Sequence, residues 1–124
     1  MNKAKILLVE DEEFLREIYL DILTESGYEV DVAVNGDEAF ASMHKGGYDL
    51  VLLDVMLPER DGRTVLLDLQ KEPSLSPNKK IVYMTNLSHD GIFTEGKKLG
   101  VSSVLIKSDL NPEQFLQKVN QFLT

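Results

Sequence analysis

A doubly wound α/β sandwich around one five-stranded parallel sheet is the fold this chain predicts. Three observations lead there. Short apolar runs alternate with amphipathic stretches five times along the chain. No hairpin signal joins consecutive runs, so each strand needs a crossover helix to reach the next. Right-handed crossovers then favour an open sheet, because a closed barrel takes about eight such units.

The elements follow in order. Ala4 to Val9 reads as the first strand, and Glu13 to Ser26 as a helix with Phe14, Ile18, Ile22 and Leu23 at helical spacing before a stop at Gly27. Tyr28 to Val34 alternates as a second strand, Asn35-Gly36 turns, and Asp37 to Lys45 carries Ala39, Phe40 and Met43 on one helical face. Asp49 to Leu53 is the third strand. Thr64 to Glu72 is helical and stops before Pro73, and Pro73 to Asn78 is the longest loop. Lys80 to Met84, a helix from about Ser88 to Leu99, and a fifth strand from Val101 to Ile106 come next. Asn111 caps the last helix, with Pro112 in its first position.

The fourth helix carries Gly91 and Gly96, which cost roughly 1 kcal/mol each relative to alanine. It is therefore expected to be weakly formed. If Ile92 and Leu99 face the sheet, Phe93 stays partly outside, as a docking anchor or packed under a loop.

Composition sets outer limits. The 124 residues are 43% apolar and 27% charged, and residues 1–124 read as one domain with a core of ordinary size. Without cysteine, neither disulfides nor thiolate chemistry is available. The early apolar runs are too short for a signal peptide or a membrane span, so a cytoplasmic protein with no membrane partner is expected. Thirteen basic against 21 acidic residues leave a net charge of −8, which repels phosphate backbones and argues against direct nucleic acid binding.

In a parallel sheet the C-terminal strand ends share one edge, where open α/β folds meet their ligands. That edge receives Glu10 and Asp11 from the first strand and Asp54 from the third. Thr85 comes from the fourth and Lys107 from the fifth. Carboxylates gathered this way raise one another's pKa unless a cation compensates. Hard oxygen donors without cysteine or histidine point to Mg2+ rather than zinc. With a hydroxyl and an ammonium on the same rim, the set suits phosphoryl transfer. Asp54 would be the nucleophile, Lys107 and the metal would neutralise charge, and Thr85 would donate to the product.

The pieces Leu8-Val9-Glu10-Asp11, Asp54 with Pro58 and Asp61-Gly62, Met84-Thr85, and Ile106-Lys107 occur in that order on successive strand ends. Over essentially its whole length the chain resembles the receiver domain of two-component response regulators. The resemblance implies the flavodoxin-like strand order 2-1-3-4-5. It implies that Asp54 takes a phosphoryl group from a histidine kinase or histidine phosphotransfer protein. It further implies Mg2+ held by Asp11, Asp54 and the Met56 carbonyl, with Glu10 acting through water. Thr85 and the face formed by the fourth helix, fifth strand and fifth helix would relay the change to a downstream protein.

Three positions depart from that family's pattern. Ser108 follows Lys107 where a cis proline is usual, leaving the loop either trans and rearranged or strained cis. Val104 stands where an aromatic switch residue is usual, so switching is expected to use backbone and fourth-helix shifts. Met56 and Leu87 are apolar where they flank attacking water, which predicts slow hydrolysis and a long-lived phosphorylated state.

Other polar residues have plainer roles. Glu12 and Glu13 suit the first helix's dipole, Asp61-Gly62 a turn, and Glu59 solvent. His44 reads as a surface histidine and His89 as a helix-start residue, while Lys97 and Lys98 suit a helix end. Lys79-Lys80 is too short for a basic patch.

A receiver acting alone or in a phosphorelay is the leading function, and the amino-terminal receiver of a longer regulator is its alternative. An aspartyl-phosphate phosphatase is disfavoured because Met56 cannot act as general acid. A nucleotide or flavin module is disfavoured because no glycine-rich loop follows the first strand.

Overall fold

The computed structural model describes residues 3–87 and 91–124. Five strands alternate with helices: β1 (Lys5–Val9), α1 (Glu13–Glu25), β2 (Glu29–Ala33), α2 (Gly36–Lys45), β3 (Leu50–Leu53), α3 (Gly62–Lys71), β4 (Ile81–Thr85), α4 (Gly91–Lys98), β5 (Val101–Ile106) and α5 (Pro112–Phe122). All pairings are parallel, and the sheet runs β2-β1-β3-β4-β5 as expected. Among the described residues, no helix is long and apolar enough to cross a membrane. The expected start of the fourth helix at Ser88, and His89 with it, lie outside the described residues.

Why the three central strands β1, β3 and β4 are apolar along most of their length follows from the pleat, which sends successive side chains to opposite faces, both of them covered. Leu7, Val9, Val51, Leu53 and Tyr83 face α2, α3 and α4, where they meet Ala39, Met43, Val65, Leu66 and Ile92. Ile6, Leu8, Leu50, Leu52, Val82 and Met84 face the other way, against Tyr19 and Leu23 of α1 and Phe115 and Val119 of α5. Each side chain buried this way contributes about 1.5–3 kcal/mol, and both faces need covering.

Helix starts corrected two expected turns. Asn35 is not merely a turn residue: its Oδ1 accepts from Glu38 N at 2.8 Å and caps α2. Asp61 does the same for α3 through Thr64 N at 2.8 Å, so that helix begins at Gly62, ahead of Thr64. The cap of α5 is reciprocal, with Asn111 and Gln114 each satisfying the other's backbone amide.

The expected α1 row holds at Ile22 and Leu23, which pack on the core, and is corrected at Phe14. Phe14 is 73% exposed, whereas Tyr19 and Leu23 are buried with Leu15 packed beside them. The row Leu15, Tyr19, Leu23 follows the four-residue spacing, and Phe14 lies one position off it. The two α4 glycines also differ from expectation. Gly91 is the first described helical residue, and Gly96 is buried where a Cβ would lie 2.8 Å from the Tyr83 ring. Gly96 therefore lets α4 approach the sheet closely. Ile92 is buried and Phe93 is 40% exposed beneath the Lys97 ammonium, so the expected facing of that helix holds.

Candidate phosphoacceptor site

Strand order decides what can meet. With β1 and β3 adjacent and β4 and β5 following, the side chains at and just past their ends converge on one rim. Asp11, Asp54, Met56, Thr85 and Lys107 line a cavity of about 240 Å³ there, together with Glu12 and Asn86. A larger hollow of about 530 Å³ opens near Lys3, Tyr28 and Phe122, but only the rim gathers the candidate chemistry. The acids are close: one oxygen each from Glu10, Asp11 and Asp54 lies within 4.8 Å of the others.

Asp54 is held from both sides. Its Oδ1 accepts from the Met56 amide at 3.1 Å, and its Oδ2 accepts from Lys107 Nζ at 2.5 Å. The loop after it turns tightly, because Gly62 donates its amide to Val55 O at 2.8 Å. A Cβ at Gly62 would stand 2.4 Å from the Asp54 carbonyl, so only glycine permits this approach. Glu10 is fully buried, with Oε2 accepting from the Glu12 amide at 3.1 Å. Its Oε1 lies 2.5 Å from Lys107 Nζ, within ion-pair reach, yet makes no directed hydrogen bond among the described residues. The contact is an ion pair with poor hydrogen-bond direction.

These environments set the charges. Burial pushes the Glu10 carboxyl above its ordinary range, outweighing Lys107 and the Glu12 amide, which pull it down. Burial alone would lower Lys107, but Asp54 and Glu10 outweigh it and hold the ammonium above the usual lysine range. Three carboxylates with oxygens this close, and neither sulfur nor imidazole among them, fit a hard divalent cation. Thr85 is buried, and its Oγ1 accepts from the Leu87 amide at 3.3 Å, while its hydroxyl proton has no acceptor among the described residues.

All five rim residues named from the sequence are thus together, and Met56 stands beside them with its side chain 63% exposed. The loop after Lys107 is trans, since no cis peptide occurs among the described residues. It forms a single 3-10 turn over Lys107–Asp109, and the ammonium still reaches both carboxylates.

Two neighbours escaped sequence reasoning. Arg16 Nη1 donates to the carbonyls of Glu10 at 3.0 Å and Asp11 at 3.2 Å, clamping the end of β1. Asn86 Oδ1 accepts from the Ser108 amide at 2.9 Å. The unusual Ser108 was the only available hint of the second contact, and nothing signalled the first. His44, by contrast, is half-buried, stacks on Phe40 with ring centroids 5.6 Å apart, and does not line the rim cavity.

The family described as response regulator receiver domain matches residues 6–120. The transcriptional regulatory protein DltR of Streptococcus agalactiae is 36% identical over 103 residues, covering 83% of this chain and 45% of that protein. The chemotaxis protein CheY of Thermotoga maritima is 29% identical over 118 residues, covering 94% of this chain and 95% of that one. A CheY-like receiver domain protein from Methanospirillum hungatei superposes with a TM-score of 0.84 at 25% identity, over 98% of this chain and 94% of that one. The chain thus spans about half the length of the DltR relative and nearly all of CheY.

Proposed function

The chain belongs to the response regulator receiver domain family, and on that premise we propose that Asp54 is its phosphoacceptor. The observation that carries this reading is the meeting of Asp54 with two further acids and a buried ammonium. The donor is a phosphohistidine on a histidine kinase or histidine phosphotransfer protein. An Asp54 carboxylate oxygen forms the new bond to phosphorus as the phosphorus–nitrogen bond breaks. The imidazole nitrogen leaves with the bonding pair and takes up a proton.

Glu10, Asp11, Asp54 and the Met56 carbonyl would hold Mg2+, which supplies positive charge beside the phosphoryl oxygens when bound. Lys107 exchanges its Asp54 carboxylate contact for a phosphoryl oxygen and so follows the negative charge as it moves. Thr85 turns its free O–H toward another phosphoryl oxygen. That turn draws on the β4–α4 connection, because the same Oγ1 holds the Leu87 amide. With Val104 in place of an aromatic residue, the change passes through backbone and α4 to the face formed by α4, β5 and α5. The half-exposed Phe93 on that face is a contact for a downstream protein.

Receiver domains are signalling domains rather than multiple-turnover enzymes. The length of DltR favours a second output, in which a further domain of a longer regulator carries the response. Incubation with acetyl phosphate and Mg2+, followed by intact mass measurement, tests the central claim. A single phosphoryl adduct is expected, dependent on the metal and absent in Asp54→Asn; an adduct that persists in Asp54→Asn would refute it.

A further inference from the structure

We propose that Asn86 is a positioning residue for Lys107, tying the turn that carries the ammonium to the end of β4. The inference rests on the phosphoryl-transfer reading of Asp54 and Lys107. Asn86 directly follows Thr85, the last residue of β4, and Ser108 directly follows Lys107. Backbone register between β4 and β5 runs as far as Thr85 opposite Ile106. The 2.9 Å bond from Ser108 N to Asn86 Oδ1 therefore extends the β4–β5 connection beyond its last rung.

That placement matters because little else among the described residues holds the turn. The backbone bond closing it, Leu110 N to Lys107 O, is long at 3.3 Å. A lysine stem has many rotamers, so the position of its Cα sets how often Nζ arrives between Asp54 and Glu10. Asn86 shares the cavity with Thr85, Asp54 and Lys107, which puts the tie beside the reacting groups. The donor is the backbone N–H of residue 108, which proline would lack, so the tie depends on a residue other than proline standing there. Asn86 and Ser108 act as a pair.

The test is a double-mutant cycle on the intact chain, with acetyl phosphate and Mg2+ as the probe. Asn86→Ala should slow adduct formation about three- to ten-fold, the range expected for one hydrogen bond. In a Ser108→Pro background, where the donor is already gone, the same substitution should change the rate less than about two-fold. A wild-type rate for Asn86→Ala, or equal slowing in both backgrounds, overturns the proposal. A second readout needs no phosphoryl donor: Asn86→Ala should shift the 15N signal of the Lys107 ammonium and speed hydrogen exchange at the Ser108 amide. Should the wild-type chain accept no phosphoryl group at all, the phosphoacceptor reading fails. The Lys107 signal then decides the tie alone, and an unmoved signal overturns it.

Discussion

Lys107 Nζ lies 2.5 Å from Asp54 Oδ2, joining residues 53 positions apart with both side chains nearly closed to solvent. The ammonium also sits 2.5 Å from Glu10 Oε1, so one cation serves two buried carboxylates. In this arrangement the charges are held where a phosphoryl group is expected to arrive. A buried ion pair is weak evidence of stability in itself, yet removing one member is costly because the other is stranded.

Lys107→Met should destabilise the fold at neutral pH by on the order of 3 kcal/mol. The sign of the pH dependence follows from a pKa raised on folding. The stabilisation from Lys107 is whole below the ordinary lysine value of 10.5 and is lost as pH climbs through the raised folded value. Urea midpoints of wild type and variant should therefore converge in strong alkali. A gap that stays constant would contradict the charge assignment.

Mg2+ should stabilise the chain through the three acids. At about 100 times the dissociation constant, a ligand of the native state alone adds about 2.7 kcal/mol. Thermal unfolding with and without the metal measures this, and Asp11→Asn should remove most of the shift. Because Asp11 is exposed, that substitution should leave stability without metal nearly unchanged.

The Met56 side chain carries no strong hydrogen-bonding group for a water that would approach a phosphoryl group on Asp54. Met56→Asn supplies one and should hasten dephosphorylation about two- to ten-fold. Decay of the adduct after removal of acetyl phosphate is the measurement. An unchanged half-life would sink the idea that this apolar position prolongs the phosphorylated state.

Gly96→Ala should destabilise by up to about 2 kcal/mol, the overpacking cost of about 1–3 kcal/mol less the roughly 1 kcal/mol gained in helix propensity. The added methyl would press on the Tyr83 ring at 2.8 Å, and that ring is fully buried with little room to yield. In a Tyr83→Leu background the same change should become neutral or stabilising. Denaturant unfolding of the four proteins in the cycle decides.

The sequence alone was enough for the order of strands and helices and for the acids at the strand ends. Those features are local: an apolar run announces a buried strand, and the residue that ends the run must sit on the rim. Asp54 was legible because four apolar residues precede it and a second run ends in Glu10-Asp11. Strand order came only with the family resemblance, since periodicity says nothing about which strand lies beside which.

The tertiary structure decided what depends on facing across the chain. Helical spacing placed Phe14 in one row with Ile22 and Leu23; Leu23 is buried and Ile22 packs beside it, but docking on the sheet turned Phe14 outward and brought Leu15 and Tyr19 in. Gly96 looked like a weakness until the ring beneath it was in place. The Asn86–Ser108 bond spans 22 positions and the Lys107–Asp54 pair 53, with partners fixed by how β1, β3, β4 and β5 lie side by side. Local chemistry wrote the list of groups; packing chose which of them touch.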